Sequence, residues 1–367
     1  MIERGNAQQP RRAGRRTATL AALAAELGVS RTTVSNAYNR PKQLSPELRE
    51  RVLSAARELG YPGPDPVARS LRTRSAGAIG LLFTEVLSYA FRDPAAVLTL
   101  QGLAAACEDA RTGLLLVPGA QAPESQLPAL AARAAVDGFV AYSLPRGDAA
   151  LSAALNRPVP SVVIDAPLDV FEADWVGIDD LQTAASIGEH LAALGHRDVG
   201  VVATKLRETP QQTLVSLADQ QASAYDVVRL RLIGLAQGLG TQQSQLPVVE
   251  CPEQTVAAAQ QACHRLLAAA PGLTAVACTT DVLAFGALAA ASELGIDVPT
   301  QLSVTGFDAI GESAARKLTT VRQPHSEKGQ VAWELLSTRG DRSRHRDRIR
   351  RTLPTELLVR GTTAPQY

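Results

Sequence analysis

The chain has 367 residues, of which 46% are hydrophobic and 20% charged, with a formal net charge of +1. That length points to two or three domains of a soluble globular protein. No apolar run is long enough to span a bilayer, and the arginine-rich start lacks the apolar core of a secretory signal, so an exported or membrane-inserted chain is not expected. The small net charge hides a division: residues 1–76 hold 14 Lys+Arg against 6 Asp+Glu, and the remainder is acidic. A basic end on an acidic body suits a polyanionic partner at that end. Cys107, Cys251, Cys263 and Cys278 have no paired spacing, and the five histidines are scattered. Buried reduced thiols are expected, with no metal site and no cofactor.

Residues 1–16 read as a disordered basic tail. From Thr19, the residues Leu20, Leu23, Ala24 and Leu27 recur at helical spacing until Gly28 breaks the helix. Ser30 is placed to cap a second helix that has only Val34 and Ala37 to bury. A third helix starts at Ser45-Pro46, is expected to bury Leu48, Val52, Leu53, Ala56 and Leu59, and stops at Gly60. Helix, tight turn, helix, loop and helix within residues 17–62 is the plan of a helix-turn-helix DNA-binding domain, whose second helix enters the major groove. Arg31, Thr32 and Asn36 lie on the polar side of that helix and are candidates for base contact, since arginine can bond guanine and asparagine adenine at two points. Ser30, Thr33, Ser35 and Asn39 are candidates for phosphate contact.

Prolines close this bundle, and "VARSLRTR" follows within a hinge at 63–76. Its apolar stripe of Val67, Ala68 and Leu71 is flanked by Arg69, Arg72 and Arg74. Leu71, with Arg69 beside it, suits insertion into a minor groove; a basic linker is the other reading.

The segments "TLAALAAELGVSRTTVSNAYN", "SPELRERVLSAARELGY" and "ARSLRT" resemble the headpiece and hinge of the lactose/galactose repressor family almost position by position. The resemblance implies a transcriptional regulator, a repressor by function, that binds palindromic double-stranded DNA as a homodimer in the cytoplasm. It also implies a body similar to periplasmic sugar-binding proteins, with a small-molecule effector between two lobes. Arg31, Thr32 and Asn36 fall at the family's reading positions and Leu71 at its minor-groove leucine. Asp65 departs from the asparagine common in the family, and a carboxylate there is repelled by phosphate.

The body, 77–367, alternates apolar runs with alanine-rich helices: "AIGLLF", "GLLLVPG", "VDGFVAY", "PSVVID", "DWVGID", "DVGVVA", "LPVVEC", "TAVACTT" and "LSVTGFD". Runs separated by helices mean parallel sheets, and their number calls for two doubly wound lobes. The expected fold is therefore an all-α helix-turn-helix headpiece joined to an α/β, periplasmic-binding-protein-like body. The N-lobe is expected at about 77–177 plus 309–337 and the C-lobe at about 178–308 plus 338–367.

Ligands of such folds bind at the carboxyl ends of strands. That rule selects Glu85, Tyr89, Phe91, Asp93, Ser143, Asp179, Asp180, Asp281 and Asp308. By the family resemblance, Gln323 in "LTTVRQP" faces the pocket and Arg229 in "YDVVRLRLIGL" binds effector. Competing readings accompany several of these: Asp179 and Asp281 stand where an aspartate caps a helix, Arg229 can pair on the surface, and Phe91 can be core. Acids with an arginine favour a polyhydroxylated effector such as a sugar or nucleoside. Residues 204–223 read as a polar, flexible insertion that could cover the cleft, and 337–351 as a solvated, charge-dense loop. No dinucleotide loop, phosphate loop, nucleophile elbow or metal spacing is visible, so an enzyme is not expected. A solute receptor for transport would share the body but not the basic headpiece.

Overall fold

A computed structural model describes residues 19–63, 75–83, 91–118, 127–207, 209–338 and 347–366. The readings made for the tail 1–16, for Asp65, Arg69 and Leu71 of the hinge, for Glu85 and Tyr89, and for 339–346 lie outside the described residues. The chain divides into two units, Met1–Ser75 and Ala76–Tyr367.

In the first unit, hydroxyl caps set the start of each helix. Thr19 caps α1 (Leu20–Glu26), Ser30 caps α2 (Arg31–Asn39), and Ser45, followed by proline, caps α3 (Pro46–Glu58). Gly28 and Gly60, at φ of 63° and 65°, end α1 and α3 in the left-handed region that favours glycine. Leu23, Ala24, Val34, Ala37, Val52 and Ala56 form the shared core. Leu48 and Leu53 are only half-buried, and Leu59, expected inside, is exposed at the C-terminal end of α3.

In the second unit the apolar runs become two sheets. The first has the order β11-β5-β4-β3-β1-β2. Its strands are β1 (Ala78–Phe83), β2 (Gly113–Pro118), β3 (Phe139–Tyr142), β4 (Ser161–Ile164), β5 (Asp174–Gly177) and β11 (Arg350–Thr352), all parallel. Alternate side chains reach opposite faces: Ile79, Leu81 and Phe83 join one core and Leu82 the other. The helices α4 (Pro94–Asp109) and α13 (His325–Thr338) cover the first face. On the second face lie α5 (Leu127–Arg133) and α6 (Ala149–Leu155). This is the N-lobe.

The C-lobe sheet has the order β7-β6-β8-β9, from β6 (Val199–Ala203), β7 (Val248–Glu250), β8 (Ala275–Cys278) and β9 (Ser303–Thr305). One face carries α7 (Asp180–Ala193) and α9 (Asp226–Leu239), the other α10 (Val256–Ala269) and α11 (Asp281–Glu293). The chain then forms α12 (Gly311–Ala315) and β10 (Thr320–Arg322), which pairs antiparallel with β12 (Glu356–Leu358). All four cysteines are free and buried.

Three expectations are corrected. Residues 309–322, placed in the N-lobe, pack with the C-lobe through the apolar side chains of Ile310, Leu318 and Val321, and the segment lies beside the end of β9, bridging Thr305 to Thr319. Residues 350–352, placed in the C-lobe, extend the N-lobe sheet beside β5, where Arg350 covers the Trp175 ring. The segment 204–223 is no loose insertion. The carboxylate of Glu250, fully buried at the end of β7, accepts from the N–H groups of Leu206, Arg207 and Gln211 at 2.6, 2.9 and 3.1 Å. Leu206 and Val215 enter the core, and α8 (Leu217–Ala222) completes the segment.

Helix pairs approach closely where glycines meet a neighbouring backbone. A Cβ at Gly234 of α9 would run into the carbonyl of Leu181 in α7. Gly234→Ala is therefore expected to destabilise the body by about 1–3 kcal/mol, as overpacking does. Urea denaturation followed by circular dichroism checks this; unchanged stability would mean that α7 and α9 can separate freely.

Candidate functional site

Two places carry exposed or convergent polar chemistry, one in each unit. In the first, α2 buries only Val34 and Ala37. Arg31 and Thr32 are exposed and Asn36 is half-exposed. Among the described residues none of these three side chains makes a hydrogen bond, whereas their neighbours do. Ser30 Oγ accepts the Thr33 N–H at 3.0 Å and shares a hydrogen bond with the Thr33 hydroxyl. Asn39 donates its amide to the Ser35 carbonyl at 3.0 Å and to its hydroxyl at 3.2 Å. The hydroxyls thus shape the helix, and the arginine, threonine and asparagine are left facing outward.

In the second unit a cleft of about 460 Å³ lies between the lobes. Both sheets reverse their winding beside their first strand, between β1 and β3 and between β6 and β8. Crevices open at the carboxyl ends of such strands. Phe83, Tyr142 and Ser143 line the cleft from the ends of β1 and β3, and Thr204, Lys205 and Thr280 from those of β6 and β8.

The floor is a chain of buried polar groups. Arg231 of α9 donates through Nε to Asp180 at 2.8 Å and through Nη1 to the Thr279 carbonyl at 2.6 Å, with its guanidinium 3.8 Å from the Phe307 ring centre. Lys328, 1% exposed, lies 2.7 Å from Asp165 and donates to Gln323 Oε1 at 2.8 Å. Gln323 passes the link on, donating to Asp308 Oδ1 at 2.7 Å. Burial and the neighbouring Asp281 carboxylate push Asp308 well above the ordinary carboxylate range. His325 is 5% exposed and lines the cleft with its Nε2 3.7 Å from Asp308, and neither ring nitrogen has a hydrogen-bond partner among the described residues. Burial, with the charges of Lys328 and Arg231, holds its imidazole well below the usual range.

Of the residues selected from sequence, the fold brings Asp93, Ser143, Asp308 and Gln323 to the cleft. Asp93 also caps α4 by accepting the Ala95 N–H. Five others do not line it, among them Asp180, which pairs with Arg231 at 2.8 Å. Phe91 is 59% exposed, beside the lining Arg92 and Asp93. Asp179 caps α7 through the Gln182 N–H at 2.9 Å. Arg229 pairs with Asp226 at 2.6 Å, one helical turn away. Asp281 is fully buried and accepts from the Thr320 hydroxyl and the Ile310 N–H, tying α11 to the crossing segment.

Sequence reasoning missed Arg231, Lys328 and His325. A signal existed for two of them. Arg231 shares a buried stripe with Val228, Leu232 and Leu235, and Lys328 one with Val331, Ala332 and Leu335. A charge on an apolar stripe marks a buried partner. Residues two apart on a helix point apart, so Arg229 and Arg231 cannot both face the cleft.

Among the described residues no group of acids, histidines and cysteines is arranged to hold a metal, and no helix is long and apolar enough to cross a membrane.

Residues 19–63 match the family described as bacterial regulatory proteins, lacI family, and residues 189–363 match the periplasmic binding protein-like domain. An HTH-type transcriptional regulator of Mycobacterium tuberculosis is 46% identical over 354 residues, covering 95% of this chain and 98% of that one. A solved LacI-family regulator from Corynebacterium glutamicum superposes with a TM-score of 0.72 at 35% identity, covering 96% of this chain and 100% of the other. The transcriptional regulator CelR in complex with cellobiose superposes at 0.66 with 27% identity, covering 94% and 99%.

The carboxyl of Asp281 is pushed up to about 6 by burial, against the opposing effect of its hydrogen bonds. From the ordinary value of 3.8 up to that value the native state binds more protons than the unfolded chain, so stability falls as pH rises. The stability of the protein relative to its Asp281→Asn variant is expected to drop by roughly 2–3 kcal/mol between pH 4 and pH 7. Denaturation of both proteins across that range measures it; a constant difference would show that the carboxyl is charged throughout.

Proposed function

Because the chain belongs to the LacI family of bacterial regulatory proteins, we propose that it is a cytoplasmic, non-enzymatic repressor that binds a palindromic operator as a homodimer and releases or gains affinity when a small molecule enters the cleft. In this reading residues 17–62 bind DNA, 63–76 form the hinge, and 77–367 bind effector and dimerise, with 1–16 as a basic tail. Arg31, Thr32 and Asn36 read bases; Ser30, Thr33, Ser35 and Asn39 meet phosphates; Arg69 and Leu71 enter the minor groove. The observation that supports the DNA role is the outward polar face of α2, whose three reading side chains have no bond to their own chain among the described residues.

The effector is an uncharged polyhydroxylated molecule, a sugar or nucleoside. What supports this is the charge balance of the floor. Arg231 is met by Asp180 and Lys328 by Asp165. Asp308, driven up, and His325, driven down, both favour their neutral forms. Higher on the walls, Arg92 and Lys205 face the cleft with Asp93 and Glu253. A charged ligand would find no spare countercharge on the floor, and a buried unpaired charge is costly. A neutral imidazole, offering one donor and one acceptor, suits a hydroxyl. Cellobiose in the related CelR regulator is a ligand of this kind. Asp93, Ser143, Asp308 and Gln323, with Arg231 and His325, are the contacts proposed.

Two experiments test the reading. Replacing Arg31 and Asn36 by alanine is expected to weaken binding to the cognate operator by about 1–3 kcal/mol per base contact while sparing non-specific binding. Loss of both in equal measure would contradict base reading. Thermal-shift screening of the full chain against neutral sugars and nucleosides and their phosphorylated forms is expected to find stabilisation by a neutral compound, which Asp308→Asn removes. Stabilisation by phosphorylated compounds alone would overturn the uncharged class.

A further inference from the structure

Away from the residues that line the cleft, the lobes grip each other directly. Asp226 opens α9 in the C-lobe and is 2% exposed. Its Oδ2 accepts the backbone N–H of Leu168 at 3.1 Å, and Leu168 belongs to the N-lobe segment after β4. Its Oδ1 accepts from Arg229 at 2.6 Å and lies 3.7 Å from Nε of Arg146, which follows β3 in the N-lobe. Arg146 makes two further bonds to the C-lobe: its N–H reaches the Ala224 carbonyl at 2.9 Å, and its Nη2 the Ser223 carbonyl at 2.7 Å.

The C-lobe side of this grip is firmly anchored. The Ser223 hydroxyl donates to the Leu206 carbonyl at 2.8 Å, and the Leu206 N–H is held by Glu250 at the end of β7. Force applied at Arg146 is therefore carried to the C-lobe sheet through hydrogen bonds. Tyr225, Val227 and Val228, which line the cleft, are neighbours in sequence of the gripping residues, while Arg146, Leu168, Ser223, Ala224 and Asp226 do not line it.

We infer that Arg146, Leu168 and Asp226 form a clasp between the lobes that acts separately from effector contacts and sets the equilibrium between closed and open lobes. The clasp is reversible on physical grounds. When the lobes part, Arg146 is already part-exposed and hydrates, and Asp226 keeps Arg229, so no charge is stranded. A closure held by such a margin can be shifted by a ligand that prefers one state. Leu98 of α4, packed against the C-lobe core, is a second, apolar crossing contact, so loss of the clasp loosens the lobes without separating them. The regulatory meaning of the clasp rests on the effector reading above; its physical existence does not.

The test is hydrogen exchange by mass spectrometry on the full chain and its Arg146→Ala variant, with no ligand added. The reporter is the Leu168 amide in peptides spanning 164–173, which sits across the clasp and loses none of its own groups in the variant. Exchange there is expected to speed up about tenfold, the factor for one hydrogen bond's net worth, with β6 and β8 peptides unchanged. Arg146→Gln, which keeps the aliphatic stem, must show the same rise and serves if the alanine variant does not fold. Unchanged exchange at 164–173 in a folded variant would overturn the clasp. Because the readout needs no effector, a failed ligand screen leaves it standing, and its failure leaves the effector reading standing.

Discussion

Lys328 is 1% exposed and its ammonium lies 2.7 Å from the Asp165 carboxylate. An amine buried so completely is tolerated only with a partner and filled donors. Meeting that demand organises the cleft. Lys328 stands on the first turn of α13, its ion-pair partner Asp165 follows β4, and its hydrogen bond goes to Gln323, where the chain crosses between lobes. Gln323 in turn holds Asp308 at the end of the C-lobe sheet. One buried charge thus fixes the start of α13, the crossing segment and a carboxylate of the opposite lobe in a single arrangement. The second pair, Arg231 with Asp180, does the same for α9 and α7, and the Phe307 ring lies against the guanidinium.

A floor built in this way is polar yet carries almost no free charge. Its groups are oriented by one another, so a ligand meets fixed donors and acceptors instead of mobile side chains. The arrangement is also sensitive to lobe position, since the link from Lys328 to Asp308 passes from one lobe to the other. The headpiece shows the opposite economy. Its core is six small or aliphatic residues, and its second helix has hardly any apolar face. A helix of that composition holds its place only because hydroxyl caps and a narrow Val34–Ala37 stripe suffice, which leaves its outer face for a partner.

Much of this was legible in the sequence. Most strands of the two body sheets, such as β4, β6 and β8, are apolar runs buried on both faces, a pattern that periodicity reads well, and the serine caps and terminal glycines of the headpiece stood where their backbone roles require. Asp93, Ser143 and Asp308, selected by the strand-end rule, line the cleft; Ser143 and Asp308 do so because they come just after β3 and β9. The rule failed at Asp179, whose carboxylate caps its own helix, and at Asp281, whose carboxylate is taken up by Ile310 and Thr320 of the crossing segment. The family resemblance did not place Arg229 correctly either, since only packing decides which of two alternating arginines faces inward. Glu250 was invisible for another reason: its donors come from a polar segment whose order exists only once that carboxylate is buried beneath it.

The floor of the cleft is held by mutually compensating charges. A double-mutant cycle on Lys328→Met and Asp165→Asn, read by chemical denaturation at neutral pH, measures this directly. The lysine change alone is expected to cost about 3–5 kcal/mol, as stranding a buried charge does. The double variant should recover at least about 2 kcal/mol of that loss through the coupling of touching groups. Strictly additive losses would mean that the two side chains do not depend on each other, and the compensated floor would be contradicted.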